Sequence, residues 1–474
     1  MTTPTQQTID GLRLTGTVLD KIVADKPAQI SQLQQQYPPQ DIIKNLVPSQ
    51  RSLFDGLNAD NASYILECKK ASPSKGLIRD KFDLSEICGA YKHYAAGISV
   101  LTDEAYFQGA FEYVKEVRGL LEQPILCKDF FIDAYQIHLA RYMGADAILL
   151  MLSVLDDTKY QELAAVANQY SMDILTEVSN DEELTRALAL DAKIIGINNR
   201  DLRDLSIDLN TTKKFAPKIN GDRIIISESG ISTHQQITDL APFVDGFLVG
   251  SSLMSQPDID MACRELVFGE TKICGLTDNT TAHGIASAGA VYGGLIFAEK
   301  SPRYVTVEQA LAVKNGVNLK FVGVFVNEEI DTVATTANEL SLDVIQLHGN
   351  EDNEYLTQLR PLLPAHCQIW QACRSDKIND LEAPTLSDRL LIDSAVVNDH
   401  SVQFGGTGES FDWELVPQAL KANSMLAGGL SPDNIKLAAH SGFLGLDINS
   451  GVESSPGVKD LVQIKHLMQQ IRQY

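Results

Sequence analysis

Ile65-Leu66-Glu67-Cys68-Lys69-Lys70-Ala71-Ser72-Pro73-Ser74-Lys75-Gly76 is an apolar run that ends in charge and then in a turn. The lead-in reads as a buried strand, and Ser-Pro-Ser-Lys-Gly as the loop leaving it. Strand side chains alternate, so Glu67 and Lys69 face the same side. In a closed parallel barrel that side is the interior at the rim, where active sites form. The plainer reading is a surface ion pair at a strand end, which contributes little. The segment alone does not choose between the two; repetition along the chain does.

Seven more apolar runs follow, at 98–102, 124–128, 147–152, 173–177, 193–198, 224–229 and 246–251. With 64–69 they make eight, and amphipathic stretches such as 157–170 and 180–190 separate them. The pattern restarts at 272–277 and continues at 292–297, 320–326, 344–348, 367–373, 390–393, 424–429 and 445–449. Strands alternating with helices mean βαβ units and a parallel sheet. Eight units in roughly 200 residues suggest closure. The expected class is α/β, two consecutive (β/α)8 TIM barrels. The expected domains are a first barrel over 1–262 with an N-terminal helical extension, a linker over 263–270, and a second barrel over 271–474. Residues 1–50 read as helical, polar and broken by prolines. An open doubly wound sheet is the alternative, but no Gly-x-Gly-x-x-Gly follows the first strand of either half.

The chain has 474 residues and a net charge of -23, from 62 acidic and 39 basic side chains. That excludes the broad basic surface of a nucleic-acid or anionic-membrane binder. A few local lysines, arginines and backbone amides still suffice for small anions. The seven cysteines (68, 88, 127, 263, 274, 367, 373) are scattered, with no C-x-x-C pair and no zinc spacing. A reducing cytoplasmic location is expected, with no metal and no cofactor. The N-terminus lacks the basic and apolar run of a signal peptide, and no apolar stretch of about 18 residues appears. The expected partners are phosphorylated, anionic small molecules, with no nucleic acid and no membrane. A monomer or weak homo-oligomer is expected.

Polar residues end the first-half strands in an unusual set: Glu67 and Lys69, Lys128, Glu177 and Asn198, then Ser227-Glu228-Ser229-Gly230 and Gly250-Ser251. In a barrel they converge on one mouth, where clustered lysines and glutamates shift one another's pKa. A lysine among cations, or desolvated, drops toward neutral pH and becomes an acid. The Ser-Gly and Gly-Ser pairs after strands seven and eight match the usual barrel phosphate site.

Glu-Cys-Lys-Lys-Ala-Ser-Pro-Ser-Lys-Gly (67–76), Pro-Ile-Leu-Cys-Lys-Asp-Phe (124–130), Leu-Thr-Glu-Val (175–178), Gly-Ile-Asn-Asn-Arg-Asp-Leu (196–202) and Ser-Glu-Ser-Gly-Ile (227–231) resemble the motifs of indole-3-glycerol-phosphate synthase. The match covers about 15–262, in order. It implies ring closure of 1-(2-carboxyphenylamino)-1-deoxyribulose 5-phosphate with loss of CO2 and water. By that resemblance Lys128 is the general acid on the ketone oxygen, and Lys69 pairs with the substrate carboxylate. Glu177 is the base that finishes dehydration, and Glu67 orients the lysines. Asn198 and Ser229 hold the substrate, as does Ser72, while Gly230, Gly250 and Ser251 take the phosphate.

The second half opens Lys272-Ile273-Cys274-Gly275-Leu276-Thr277. Cys274 at a strand end is a candidate thiolate, although a single cysteine is more often buried and structural. Asp393 ends strand six, where a carboxylate is often only a helix cap. Together they offer a base and an acid on one rim. Arg303 can hold a carboxylate bidentately. Gln346-Leu347-His348-Gly349 ends strand four. Ala427-Gly428-Gly429-Leu430 and Asp447-Ile448-Asn449-Ser450-Gly451 end strands seven and eight.

With Phe404-Gly405-Gly406-Thr407-Gly408 and Phe411-Asp412-Trp413, these motifs resemble phosphoribosylanthranilate isomerase over about 271–474. The resemblance implies an Amadori rearrangement. Asp393 would protonate the ribose ring oxygen, and Cys274 would remove the C2 proton. Arg303 would bind the anthranilate carboxylate, and Gly428, Gly429 and Ser450 the phosphate, with His348 and Asp447 as further contacts. One departure is Asp278, where relatives commonly carry a basic residue; an acidic side chain is welcome there if it faces solvent at a helix N-terminus. Two rival readings make the second half a binding module, or a histidine-pathway aminoaldose isomerase. The first rests on Asp278 alone, and the second usually needs two aspartates rather than Cys274 with Asp393.

Overall fold

The computed structural model describes residues 11–13, 15–59, 61–201, 204–376, 386–394, 397–398, 401–402 and 411–473. Residues 1–10, 14 and the motif at 404–408 lie outside the described residues. The chain divides into two units, Met1–Ser232 with Gln236–Cys263, and Thr233–Gln235 with Arg264–Tyr474.

The first unit is built on β1 (Ser63–Cys68), β2 (Gly97–Leu101), β3 (Ile125–Lys128), β4 (Ala147–Met151), β5 (Asp173–Val178), β6 (Ile194–Asn198), β7 (Ile224–Glu228) and β8 (Gly246–Val249). They pair in chain order, all parallel, and close into a barrel. Closure is direct, because Leu66 of β1 pairs with Ile98 of β2 on one side and Val249 of β8 on the other. Helices cover the outside and side chains fill the inside. A strand such as β1 is therefore buried along its whole length, which is why these strands read as apolar runs rather than alternating ones. The Ser-Pro-Ser-Lys-Gly loop after β1 folds as a small hairpin, Ala71–Ser72 against Gly76–Leu77.

The second unit repeats the plan with β9 (Glu270–Ile273), β10 (Tyr292–Ile296), β11 (Lys320–Phe325), β12 (Val344–Leu347), β13 (Gln368–Arg374), β14 (Arg389–Asp393), β15 (Ser424–Leu426) and β16 (Gly445–Ile448). It too is parallel and closed. The expected strand at 272–277 ends early, at Ile273, because Gly275 takes φ 78 and leaves the extended region. Residues 263–270, expected as a linker, continue the helix Ile259–Phe268 and then enter β9. No helix among the described residues is long and apolar enough to cross a membrane.

Ahead of the first barrel, α1 (Val18–Gln36) starts at Thr17, whose side chain accepts from the Leu19 amide. The break comes at Pro38-Pro39, which start the next short helix, whereas Pro27 lies inside α1 without breaking it. Its buried face is Leu19, Ile22, Val23, Lys26 and Ile30, a stripe at the i, i+3, i+4 spacing of an amphipathic helix. Lys26 is the polar member, 2% exposed. Its ammonium pairs with Asp103 at 2.6 Å and with Asp129, the residues following β2 and β3. Thr102 donates to the second Asp129 oxygen at 2.7 Å. Burial disfavours the lysine charge, but Asp129 and Asp103 outweigh it and hold Lys26 protonated.

Removing one partner of a buried ion cluster strands the other charges and costs about 3–5 kcal/mol. Lys26→Met is expected to destabilise the first barrel by that amount. Both tryptophans, Trp370 and Trp413, lie in the second unit. Circular dichroism should therefore show an early denaturant transition that tryptophan fluorescence does not follow.

Candidate active sites

In the first barrel the inward side chains at the C-terminal strand ends form one charge cluster. Lys128 of β3 lies 3.2 Å from Glu67 of β1 and 3.2 Å from Glu228 of β7. Lys69 reaches the other Glu67 oxygen at 2.5 Å. Ser99 of β2 donates to Glu67 at 3.4 Å, and the Asn198 side chain hydrogen-bonds Glu177. Two glycines make room for this cluster. A Cβ on Gly196 would stand 1.9 Å from Glu228 Oε1, and one on Gly250 2.5 Å from Glu67 Oε1.

The shared environment drives the carboxyls apart. Burial opposes the charge of Glu67, but the Lys128 and Lys69 ammoniums prevail and hold it down at about 2. Burial and the neighbouring Glu228 push Glu177 up to about 7, against the pull of Lys128. Glu228 is raised by burial as well. Lys128 itself moves opposite to the expected drop. Burial would lower it, yet Glu67, Glu228 and Glu177 raise it, so it is a fixed ammonium. The expectation allowed for desolvation and neighbouring cations, whereas three carboxylates surround this lysine.

Above the cluster opens a cavity of about 320 Å³. Every first-half residue expected at the site lines it. Glu67, Lys69, Lys128, Glu177 and Asn198 form its charged part, and Ser72, Ser229, Gly230, Gly250 and Ser251 its small polar end. Ser229 and Gly230 are consecutive left-handed residues, φ 67 and 85, and such strain in a non-glycine residue clusters at functional sites. Gly250 precedes the short helix Ser251–Met254, the arrangement of barrel phosphate sites. Sequence reasoning did not assign Glu228, although it stands inside a quoted motif. It also missed the apolar wall of Val18, Leu19 and Ile22 from α1 with Phe107 and Phe130.

In the second barrel Cys274 follows β9 and is 4% exposed. Asp393 ends β14, and His348, just after β12, brings Nε2 to 3.3 Å from Asp393 Oδ2. The His348 Nδ1 contacts the Gln346 amide nitrogen at 3.1 Å. Gly428 and Gly429 are left-handed, φ 88 and 64, after β15, and a Cβ on Gly428 would strike Ser394 at 2.7 Å. Ser450 begins the 3-10 turn after β16. Two expected substrate contacts have protein partners. Asp447 accepts from Lys272 at 2.7 Å. Arg303 forks onto Glu453 with bonds of 2.8 and 2.7 Å, and Lys459 joins the same carboxylate at 2.6 Å. Asp278 is the exposed N-cap of the helix Asn279–Ala288, accepting from the Thr281 amide at 2.8 Å and hydroxyl at 2.7 Å. Its negative charge is thus spent on the helix terminus.

The family described as indole-3-glycerol phosphate synthase matches residues 19–266, and the family described as N-(5'phosphoribosyl)anthranilate (PRA) isomerase matches 271–470. The chain is similar over nearly its whole length to curated relatives named tryptophan biosynthesis protein TrpCF. It is 53% identical to that of Yersinia pestis, over 97% of this chain and 95% of the relative. It is 53% identical to that of Vibrio cholerae, over 96% of each, and 50% identical to that of Salmonella typhi, over 97% of this chain and 100% of the relative. With two closed barrels, each bearing its own rim cluster, the chain belongs to the bifunctional tryptophan-biosynthesis enzymes that join an indole-3-glycerol-phosphate synthase to a phosphoribosylanthranilate isomerase.

Proposed function

We propose that the residues of each rim divide the two reactions as follows. In the second barrel Asp393 donates a proton to the ribose ring oxygen of N-(5-phosphoribosyl)anthranilate. The ring C–O bond breaks and the anilino nitrogen forms a Schiff base. Cys274 takes the C2 proton, and the resulting enolamine becomes the ketose-amine. His348, hydrogen-bonded to Gln346 and 3.3 Å from Asp393, holds the acid in position. Nε and Nη2 of Arg303 serve Glu453, so the substrate carboxylate meets the remaining nitrogen, Nη1, of a guanidinium already fixed in place. Gly428, Gly429 and Ser450 receive the phosphate, and Asp447 acts through Lys272.

In the first barrel the phosphate enters the end formed by Ser229, Gly230, Gly250 and Ser251, and the anthranilate ring lies on the apolar wall. The observation that carries this reading is Lys128, an ammonium 3.2 Å from two buried carboxylates beneath the cavity. As a fixed cation it polarises the ketone while a ring carbon attacks. It surrenders its proton only to the strongly basic oxygen that forms there. CO2 then leaves, freeing the Lys69 ammonium that held the carboxylate, and the hydroxyl departs as water on a proton from that ammonium. Glu177, poised near neutral, accepts the proton whose loss completes the indole. Lys69 pairs with the substrate carboxylate, and Glu67, ionised throughout, holds both ammoniums in register. Asn198 sets the Glu177 carboxyl.

The working unit is a single chain, since each rim is assembled from the residues of one barrel. A cytoplasmic location fits seven cysteines that are all buried thiols.

Losing Lys128 removes a charge aimed at the reacting oxygen, an effect worth about 2.7–4 kcal/mol for comparable oxyanion donors. Lys128→Ala should lower synthase kcat at least about a hundredfold and leave the isomerase intact, with Cys274→Ala doing the reverse. Steady-state assays on each substrate separately check this, and loss of both activities from either change overturns the assignment. Because Glu177 must be ionised to act as a base and its pKa is raised to about 7, synthase kcat/KM should fall as pH drops through neutrality. Glu177→Gln should be slower and lack that limb in a pH-rate profile.

A further inference from the structure

Lys272 has no exposed surface, and neither reaction above gives it a chemical step. It sits on β9 two residues before Cys274, so both side chains enter the barrel interior. Its ammonium donates to Gln346 Oε1 at 2.8 Å and to Asp447 Oδ2 at 2.7 Å, and the nearby Cys274 sulfur adds to the pull on its charge. Gly294 of β10 closes the remaining side. A Cβ there would lie 2.7 Å from the Cys274 sulfur and 3.1 Å from Lys272 Cε. Strands β10, β12 and β16 therefore confine ammonium and sulfur to one dry compartment.

We propose that Lys272 is the positioning residue that makes Cys274 a base, its ammonium being the counter-charge of the thiolate, with Asp447 and Gln346 fixing that ammonium. The inference rests on the reading of Cys274 as the isomerase base. A buried thiol without a counter-charge stays protonated. Burial does push Cys274 up, Lys272 pulls it down, Asp447 works against the thiolate, and Lys459 helps it. Arg303 also faces the sulfur, but Arg303 and Lys459 share Glu453. Asp393 and His348 act on Asp447, the first raising and the second lowering it. Lys272 is thus the cation that faces Gly294 together with the sulfur and pulls hardest on its charge. Gln346 couples it to the acid as well, since the same amide holds His348, which holds Asp393.

The test uses the full chain and the double variant Lys272→Met/Asp447→Asn, which removes one charge of each sign from the interior. Thiolate absorbance is titrated as the difference between each protein and its Cys274→Ser counterpart, beside the pH profile of isomerase kcat/KM. Both midpoints should rise, with the thiolate fraction at neutral pH falling about tenfold per unit. Synthase activity should hold, and Lys272→Arg should restore most of the shift. Asp447→Asn alone leaves the ammonium and removes an opposing charge, so its thiolate midpoint should fall. A double variant that keeps its tryptophan fluorescence and titrates like the parent overturns the inference. If the double variant does not fold, an unchanged or raised midpoint in Asp447→Asn overturns it. Isomerase activity surviving in Cys274→Ala would instead remove the base assignment, and the absorbance titration would still judge Lys272.

Discussion

Both sites depend on charge held out of water at the ends of barrel strands. Two unit charges 3.2 Å apart interact by about 5 kcal/mol at an effective dielectric near 20. Losing the water around one ion costs several kcal/mol. The terms are similar in size, so partners decide whether a group in this interior is charged at all. Lys128 with Glu67 and Glu228 on either side stays an ammonium. Glu67 between two ammoniums stays a carboxylate, while Glu177, beside another carboxyl and one shared lysine, is left near neutrality. Charge state is assigned by contact among residues of only two chemical types.

The same constraint accounts for glycines within and just after the strands. Barrel interiors are usually filled by branched apolar side chains in layers. Here Gly196, Gly250 and Gly294 face Glu228, Glu67 and the Cys274–Lys272 pair at distances no Cβ could occupy. Long charged side chains take the volume that a valine or isoleucine would fill. Gly250 shows how two demands meet at one position, since it also precedes the short helix at the small polar end of the cavity.

What the sequence made legible follows from this arrangement. Strands buried on both faces are apolar runs, so all sixteen barrel strands were readable, with errors at the ends; β9 was misjudged because Gly275 turns the chain after Ile273. Rim residues were readable because a charge closing an apolar run stands where the strand leaves the core, and in a barrel that place is the mouth. Pairing was not readable. Lys26 meets acids 77 and 103 positions away in sequence, and within α1 it looks like an error in an apolar stripe. Lys272 likewise sits in the short strand Glu270–Ile273 beside Thr271, and nothing local announces Asp447 across the barrel closure. The Lys128 shift was misjudged for the same reason, because its sign depends on which charges converge from β1, β5 and β7. Glu228 stood in plain view in Ser-Glu-Ser-Gly, but a strand-end carboxylate has no assignable role until its partner is known.

The two barrels share a fold and differ in the sign of the charge around the reactive group, which is where their chemistry separates. The synthase rim surrounds a cation with carboxylates. That holds Lys128 as an ammonium in the resting site and leaves the Glu177 carboxyl near neutrality. The isomerase rim surrounds a thiol with Lys272, Lys459 and Arg303, each in turn held by Asp447 or Glu453. There the cations Lys272 and Lys459 pull against the burial that raises the thiol, and each cation is paired with a carboxylate. A chain of net charge -23 can therefore serve doubly anionic substrates. Its few inward cations are buried, paired and directional, and local field at the rim, rather than net charge, decides what enters and where protons go.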